Sequence, residues 1–293
     1  MAITADLVKQ LRERTGAGMM ECKKALVETQ GDLDNAVEFM RKQGLAKADK
    51  KADRIAAEGR VIIAVAENGA QAVLLEVNCE TDFVAGGDDF RNFCDQVAQS
   101  ALTSQAADLN SLLAIRLSSG ETIEDAQKSL IAKIGEKIAV RRYQLVPRQG
   151  DRFGVYLHGA RIGVLVDVQG GDDVLAKDLA MHIAASRPLC VAPADVSEEL
   201  VAKEREIFAA QASESGKPAD IVAKMVEGRV RKYLNEVALL GQPFVKDPEI
   251  TVERLLKQAN AKVLSFVRLG VGEGIEKKVD NFAAEVMAQV RGN

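Results

Sequence analysis

The 293-residue sequence has no tryptophan, and only 4% of its residues are aromatic. A platform that stacks the bases of single-stranded nucleic acid needs rings, so the shortage argues against that class of binder. Nor does a net charge of -4 at pH 7 give any global attraction to a phosphate backbone. Histidine occurs twice, as His158 and His182, and the four cysteines Cys22, Cys79, Cys94 and Cys190 form no C-x-x-C pair. Neither residue type is spaced as a metal-ligand set, so reduced, partly buried thiols are expected, and with them a cytoplasmic protein without a metal. The opening Met1-Ala2-Ile3-Thr4-Ala5-Asp6 lacks a charged-then-apolar leader. No run approaches the roughly 18 consecutive apolar residues of a membrane span.

Catalytic signatures are missing too. Gly216-Lys217 is followed by proline and lacks the upstream glycine of a phosphate-binding loop. Gly270-Val271-Gly272-Glu273-Gly274 lies between a strand and a helix, but its third glycine is one place early and no β-α-β continuation follows, so it reads as a turn. Neither histidine has a nucleophile beside it in sequence. The expectation is a protein with no chemical step of its own, no cofactor and no nucleotide site.

What is present is enough apolar material, 47%, for real cores, and a length that allows two or three domains. The organising stretch is Cys79-Glu80-Thr81-Asp82-Phe83-Val84-Ala85, between a strand-like run, Val73 to Asn78, and a helix-like run from about Asp88 whose Phe90, Phe93, Val97 and Ala101 recur at helical spacing. An acid and a large ring side by side at such a corner cannot both face the core, so one is offered outward.

The grammar of this region occurs twice. Ile63 to Ala70 and Val73 to Val77 form a hairpin around Asn68-Gly69, and Tyr156 to Val168 repeats it around His158-Gly159. The second copy reaches its helix, Leu175 to Ala185, through Gly170, Gly171, Asp172 and Asp173, whereas the first carries Thr81-Asp82-Phe83-Val84 in addition. The extra residues read as something added to a duplicated scaffold, and additions at corners are functional or neutral far more often than structural.

In chain order, residues 1-54 predict a three-helix module. Thr4 caps Leu7, Val8 and Leu11; Thr15-Gly16-Ala17-Gly18 precedes a helix with Met19, Cys22, Ala25 and Leu26; Asp32 caps a third, which Gly44 closes. If the helix is amphipathic, one of Met19 and Met20 faces the core and its neighbour is exposed near Arg12 and Lys23, either as an adaptable partner-binding thioether or with core filling as the pair's whole role. Lys47, Lys50, Lys51 and Arg54 read as a solvated linker. Residues 55-146 form the first core unit, with helices to about Thr103 and over Thr122 to Lys133, and a third strand Ile138 to Val146 ended by Pro147. Residues 147-274 form the second, whose third strand, Val263 to Leu269, comes late because an antiparallel helical hairpin of about 196-240 intervenes. In that hairpin Ser197 caps the first arm, Leu200, Ile207 and Phe208 supply its seam, and Pro218 starts the return. A last helix aligns Ile275, Val279, Phe282, Ala283 and Val286 over 275-293. The fold class is α+β: a helical N-terminal module, a duplicated antiparallel-sheet core, an inserted hairpin and a C-terminal helix.

Thr15 to Leu26, Glu76-Val77-Asn78-Cys79-Glu80-Thr81-Asp82-Phe83-Val84-Ala85, His158 to Gly163, Glu227-Gly228-Arg229 and Gly241-Gln242-Pro243-Phe244-Val245 together resemble bacterial translation elongation factor Ts, in order over essentially the whole chain. The resemblance implies a guanine nucleotide exchange factor for the GTPase elongation factor Tu. It further implies that Asp82 and Phe83, flanked by Thr81 and Val84, enter the partner near its magnesium and phosphate site. Arg12, Met19, Met20 and Lys23 are then contacts of the N-terminal module, and Ile134, Gly135, His158 and Val245 contacts of the core. The family often has methionine where this chain has Lys246. The alternative, with the resemblance set aside, is a ribosome- or RNA-associated scaffold using Lys47 to Arg54 and Arg141-Arg142. DNA and membranes are not expected partners.

Overall fold

The computed structural model describes residues 3-49, 51-213 and 218-276. The predicted C-terminal helix beyond Glu276, Lys50 of the linker and the hairpin tip Ser215-Gly216-Lys217 lie outside the described residues.

Three helices come first: α1 (Ala5–Thr15), α2 (Met19–Glu28) and α3 (Leu33–Asp49). The Thr4 hydroxyl accepts the Leu7 N–H at 3.3 Å, the capping bond expected from a threonine just before an apolar periodic run. Val8, Leu11, Cys22, Ala25, Leu26 and Ala36 are the buried centre of this group, with Leu33, Val37 and Met40 packed around them. Two expectations change here. Both Met19 and Met20 face solvent, 60% and 77% exposed, because α2 starts at Met19 and its first turn projects past the core that Cys22, Ala25 and Leu26 fill. Gly44 does not close α3; the helix runs on, and a Cβ at position 44 would lie 2.9 Å from that of Ala132. The glycine lets two helices approach closely.

The core repeats one unit. In the first, β1 (Glu58–Val65) pairs with β2 (Gln71–Cys79), and β2 with β3 (Ile138–Pro147), all antiparallel. Between β2 and β3 come α4 (Asp82–Gly86), α5 (Asp88–Ser104), α6 (Leu109–Leu113) and α7 (Ile123–Ile134). In the second, β4 (Arg152–His158) pairs with β5 (Ile162–Gln169), followed by α8 (Asp173–Ser186). The chain then makes α9 (Glu198–Ser213), α10 (Ala219–Val237), a small ribbon of β6 (Pro243–Phe244) and β7 (Asp247–Thr251), and α11 (Val252–Gln258). Only then does β8 (Lys262–Gly270) complete the second sheet, in the order β4-β5-β8 that matches β1-β2-β3. A strand nearly a hundred residues downstream of its partner thus takes the place its alternating apolar pattern predicts.

The central strands are buried on both faces, which explains their near-continuous apolar sequence. Val73, Leu75 and Val77 of β2 pack with Phe90, Phe93, Val97 and Ala101 of α5, and Val164, Val166 and Val168 of β5 with Leu179, Ala180 and Ile183 of α8. The opposite faces meet one another through Val61, Ala72, Leu74, Val146, Leu165 and Leu269. The order of layers is helix, sheet, sheet, helix. Contact between the sheets is close at Gly163, where a Cβ would fall 2.4 Å from Val61 Cγ1. The turn of the second hairpin also reaches across, the Val61 N–H donating to the Ala160 carbonyl at 2.8 Å, while within its own unit the Val271 N–H donates to the Arg161 carbonyl at 2.8 Å.

Within this inter-sheet layer Glu76 is fully buried. Its carboxylate accepts from Arg141 Nη1 at 2.9 Å, from Arg142 Nε and from the Gly272 N–H at 2.7 Å. Arg142 goes on to donate to the Gly270 carbonyl, and Arg141 donates to that of Glu273 at 2.7 Å. The predicted seam of the hairpin arm shifts: Val201, Phe208 and Ala212 of α9 meet Val222, Val226, Val230 and Leu234 of α10, while Ile207 stays 40% exposed.

Candidate partner-binding site

The corner is a capped helical turn. Thr81 ends the extended segment, its hydroxyl accepts the Val84 N–H at 3.3 Å, and Asp82 opens α4. Ala85 turns into the core beside Cys79, and Val84 packs against the same cluster. Asp82 and Phe83 both point away, and the Phe83 ring is 88% exposed. Outward presentation of one residue was expected. Both face out because successive residues on a helix are about 100° apart, so one turn can offer two neighbours to solvent.

The surroundings of Thr81 hold that turn in place. Glu136 accepts the Thr81 N–H at 3.0 Å, the Glu80 N–H at 3.2 Å and the Thr81 hydroxyl at 2.7 Å. In return the Glu80 carboxylate accepts the Lys137 N–H at 2.6 Å, and it pairs with Arg54 at 3.3 Å. The Lys137 ammonium donates to the Arg54 carbonyl at 2.8 Å. Cys79 donates its S–H to the Thr81 carbonyl at 3.1 Å. Burial, with Glu136 and Glu58 adding charge, pushes that thiol up to about 12, so it stays a neutral donor.

Glu136 follows Ile134 and Gly135, which puts the end of α7 against the corner. Lys133, one residue earlier, pairs with Asp89 in the first turn of α5 at 2.8 Å, and its side chain lies where a Cβ on Gly16 would be, 3.1 Å away. The turn that starts α2, with its exposed Met19 and Met20, therefore rests on the lysine that also holds α5 just beyond Phe83. Met20 and Lys23 line a cleft of about 910 Å³ between α2, α3 and α7. Arg12 is exposed on α1, and its carbonyl accepts the Gly16 N–H at 2.7 Å.

His158 is exposed at the end of β4, with Nδ1 3.1 Å from the Tyr156 hydroxyl. The same hairpin carries Arg161, which binds Glu58; that hydrogen bond above all, with Asp82 adding charge, raises the guanidinium pKa further. Val245 belongs to the second unit and is 43% exposed. Its N–H donates to Nδ1 of the fully buried His182 at 3.1 Å, and Nε2 of that ring faces Gln242 Oε1 at 3.0 Å. One nitrogen accepting and the other donating defines a neutral ring, and burial lowers its pKa accordingly. Lys246 is tied to Asp178 of α8 at 2.6 Å.

The structure thus gathers Thr81, Asp82, Phe83, Val84, Ile134 and Gly135, links them through Lys133 to the Met19-Met20 turn, and joins the His158 hairpin through Arg161. It places Val245 on the second unit. The roles of Glu80, Glu136 and Lys133 escaped the sequence reading, whereas His182 is read there as a histidine with no nucleophile beside it; an acid directly after the glycine stop of α7 was the available signal for Glu136. Arg141 and Arg142, the candidate phosphate contacts of the scaffold alternative, are turned onto Glu76. Among the described residues no group of histidine, cysteine and carboxylates could hold a metal ion, and no helix is long and apolar enough to cross a membrane.

By fold the chain is a duplicated α+β protein whose helical appendages and one exposed acid-ring corner are mounted on a single four-layer core. The family model described as "Elongation factor TS" matches residues 80–273. Proteins named "Elongation factor Ts" are similar to it from end to end: that of Methylococcus capsulatus is 61% identical over 293 residues, covering 100% of each chain. That of Halorhodospira halophila is 60% identical over 292 residues, 99% of each, and that of Legionella pneumophila (strain Lens) 57% over 289, also 99% of each. The chain belongs to the elongation factor Ts family, and so to the factors of translation elongation.

Proposed function

We propose that this protein is a guanine nucleotide exchange factor for elongation factor Tu and that it promotes GDP release by inserting Asp82 and Phe83 near the magnesium and phosphate site of the GTPase. The observation that carries the reading is the 88% exposure of Phe83, a large ring kept in water on a capped helical turn. Folding gains nothing from such a ring, since the second copy of the unit has its strand and helix without it. A partner that buries it gains the hydrophobic free energy that the free protein forgoes. By linkage, a factor that binds the nucleotide-free GTPase more tightly than the loaded form weakens nucleotide binding by the same ratio.

Arg12, Met19, Met20 and Lys23 supply the second contact area in this reading, with Ile134, Gly135, His158 and Val245 extending it over the core. Residues 1-54 act as a partner-binding module, 55-146 and 147-274 as the two core units, 196-240 as a peripheral arm and 275-293 as a C-terminal module. The factor works in the cytoplasm, performs no chemical step and needs no cofactor. The test is release of labelled GDP from purified elongation factor Tu. Wild-type protein is expected to accelerate it and Phe83→Ala to do so far less; equal rates with and without the wild-type protein would overturn the assignment.

A further inference from the structure

The geometry points to Glu136 as the positioning residue of the corner, a carboxylate that fixes the direction in which Asp82 and Phe83 are presented. The inference rests on the exchange reading above but is carried by different atoms. α4 spans only Asp82–Gly86, too short to hold itself as a helix in water. Of its five residues Ala85 is buried and Val84 packs half-buried against the same cluster, so packing holds the inner side of the turn and leaves the start of the turn, Asp82 and Phe83, to its cap. That cap is Thr81, and each of its polar atoms is engaged. The carbonyl takes the Ala85 N–H at 3.2 Å and the Cys79 S–H, and the N–H goes to Glu136. The hydroxyl gives its proton to Glu136 at 2.7 Å while accepting from Val84 at 3.3 Å.

A threonine hydroxyl has one proton and rotates freely unless something takes it. With Glu136 Oε1 as acceptor, its lone pairs are directed at Val84, and the first turn starts in one orientation. The second oxygen, Oε2, clamps the Glu80 and Thr81 N–H groups, so the backbone entering the turn is held as well. Glu136 meanwhile sits directly after Ile134-Gly135, and Glu80 returns the favour by accepting the Lys137 N–H. The two segments proposed to meet the GTPase therefore keep one fixed relation to each other. Glu136 itself acts behind the contact, through Thr81.

The experiment compares wild type, Glu136→Ala and Glu136→Gln in three measurements: melting temperature, kcat and KM for GDP release from elongation factor Tu, and amide hydrogen exchange of the segment Cys79 to Gly87. In Glu136→Ala, exchange at the Glu80, Thr81, Val84 and Ala85 amides is expected to rise in the free protein. The maximal release rate is expected to fall about tenfold to a hundredfold, the scale of a misplaced contact, with the smaller change in KM. Glu136→Gln keeps one acceptor oxygen for the Glu80 and Thr81 N–H groups but turns a donor toward the Thr81 hydroxyl, so it is expected to recover the Glu80 and Thr81 amide protection and only part of the release rate. Unchanged amide exchange in Glu136→Ala, or looser amides with an unaltered release rate per folded molecule, would overturn the inference. A wild-type protein that does not accelerate GDP release would overturn the exchange reading instead, and the amide measurement would still decide whether Glu136 holds the turn.

Discussion

Glu76 and Asp167 occupy the same position in the two copies of the core unit, each buried in the layer between the sheets and each directly before a bulge in the pairing with the third strand. Their partners differ. Glu76 gathers two arginines from the neighbouring strand β3 and the Gly272 N–H from across the layer, whereas Asp167 accepts the Gln149 and Gly150 N–H groups at 2.7 and 3.0 Å from the segment that enters its own unit. In both copies a buried carboxylate beside a bulge ties the sheet to a segment outside it, Gly272 in one and Gln149-Gly150 in the other.

Glu76→Ala is therefore expected to destabilise the protein by about 3 kcal/mol, since it strands the arginines that also hold Gly270 and Glu273. Urea unfolding would measure it. Because the site lies inside the core, GDP release per folded molecule should change little.

Phe83→Ala is expected to weaken association with elongation factor Tu by about 2 kcal/mol or more, roughly thirtyfold, with a change of about half a kcal/mol or less in its own stability. Asp82→Ala should have a smaller effect on association. Titration calorimetry and thermal melts on one preparation separate this from a core role, in which stability would drop and affinity per folded molecule would not.

Replacing both Met19 and Met20 by alanine removes side chains that the three-helix core does not use. The expected result is a loss of affinity of about 1.4 kcal/mol, tenfold, at unchanged melting temperature. An unchanged affinity would take this turn out of the interface.

His182 predicts a pH dependence of stability. Burial holds its folded pKa below the ordinary value, so on acidification the unfolded chain binds the proton first. The neutral ring's contribution is complete above about pH 6.5, the unfolded value, and is lost as the pH falls through the lowered folded value. Urea midpoints measured between pH 7.5 and 5 should decline in wild type, and the decline should be shallower in His182→Asn.

Much of this arrangement was legible in the sequence. Periodicity marked the elements, and repetition of the hairpin pattern located β8 as the partner of β5 although a helical arm separates them. Thr81-Asp82-Phe83-Val84 stood out because the second copy lacks it. The readings that failed needed information from across the fold. Gly44 looks like a helix stop by local rules, but its role is set by Ala132 on another helix. Met19 and Met20 fit an amphipathic pattern until the position of α2 over its core is known. Glu136 lies 55 residues from Thr81, and no local pattern links a carboxylate to a hydroxyl at that distance along the chain.

The bond from Val61 to the carbonyl of Ala160 has a bearing on solubility. β1 is the outer strand of its sheet, and an outer strand with free amides is a template on which other chains can polymerise. Here the turn of the sister unit occupies part of that border, taking the Val61 N–H on the Ala160 carbonyl. The second copy thus shields the first from self-association, so residues 55-146 produced alone should form oligomers on size-exclusion chromatography, whereas the covalently joined pair keeps that border occupied by its own chain.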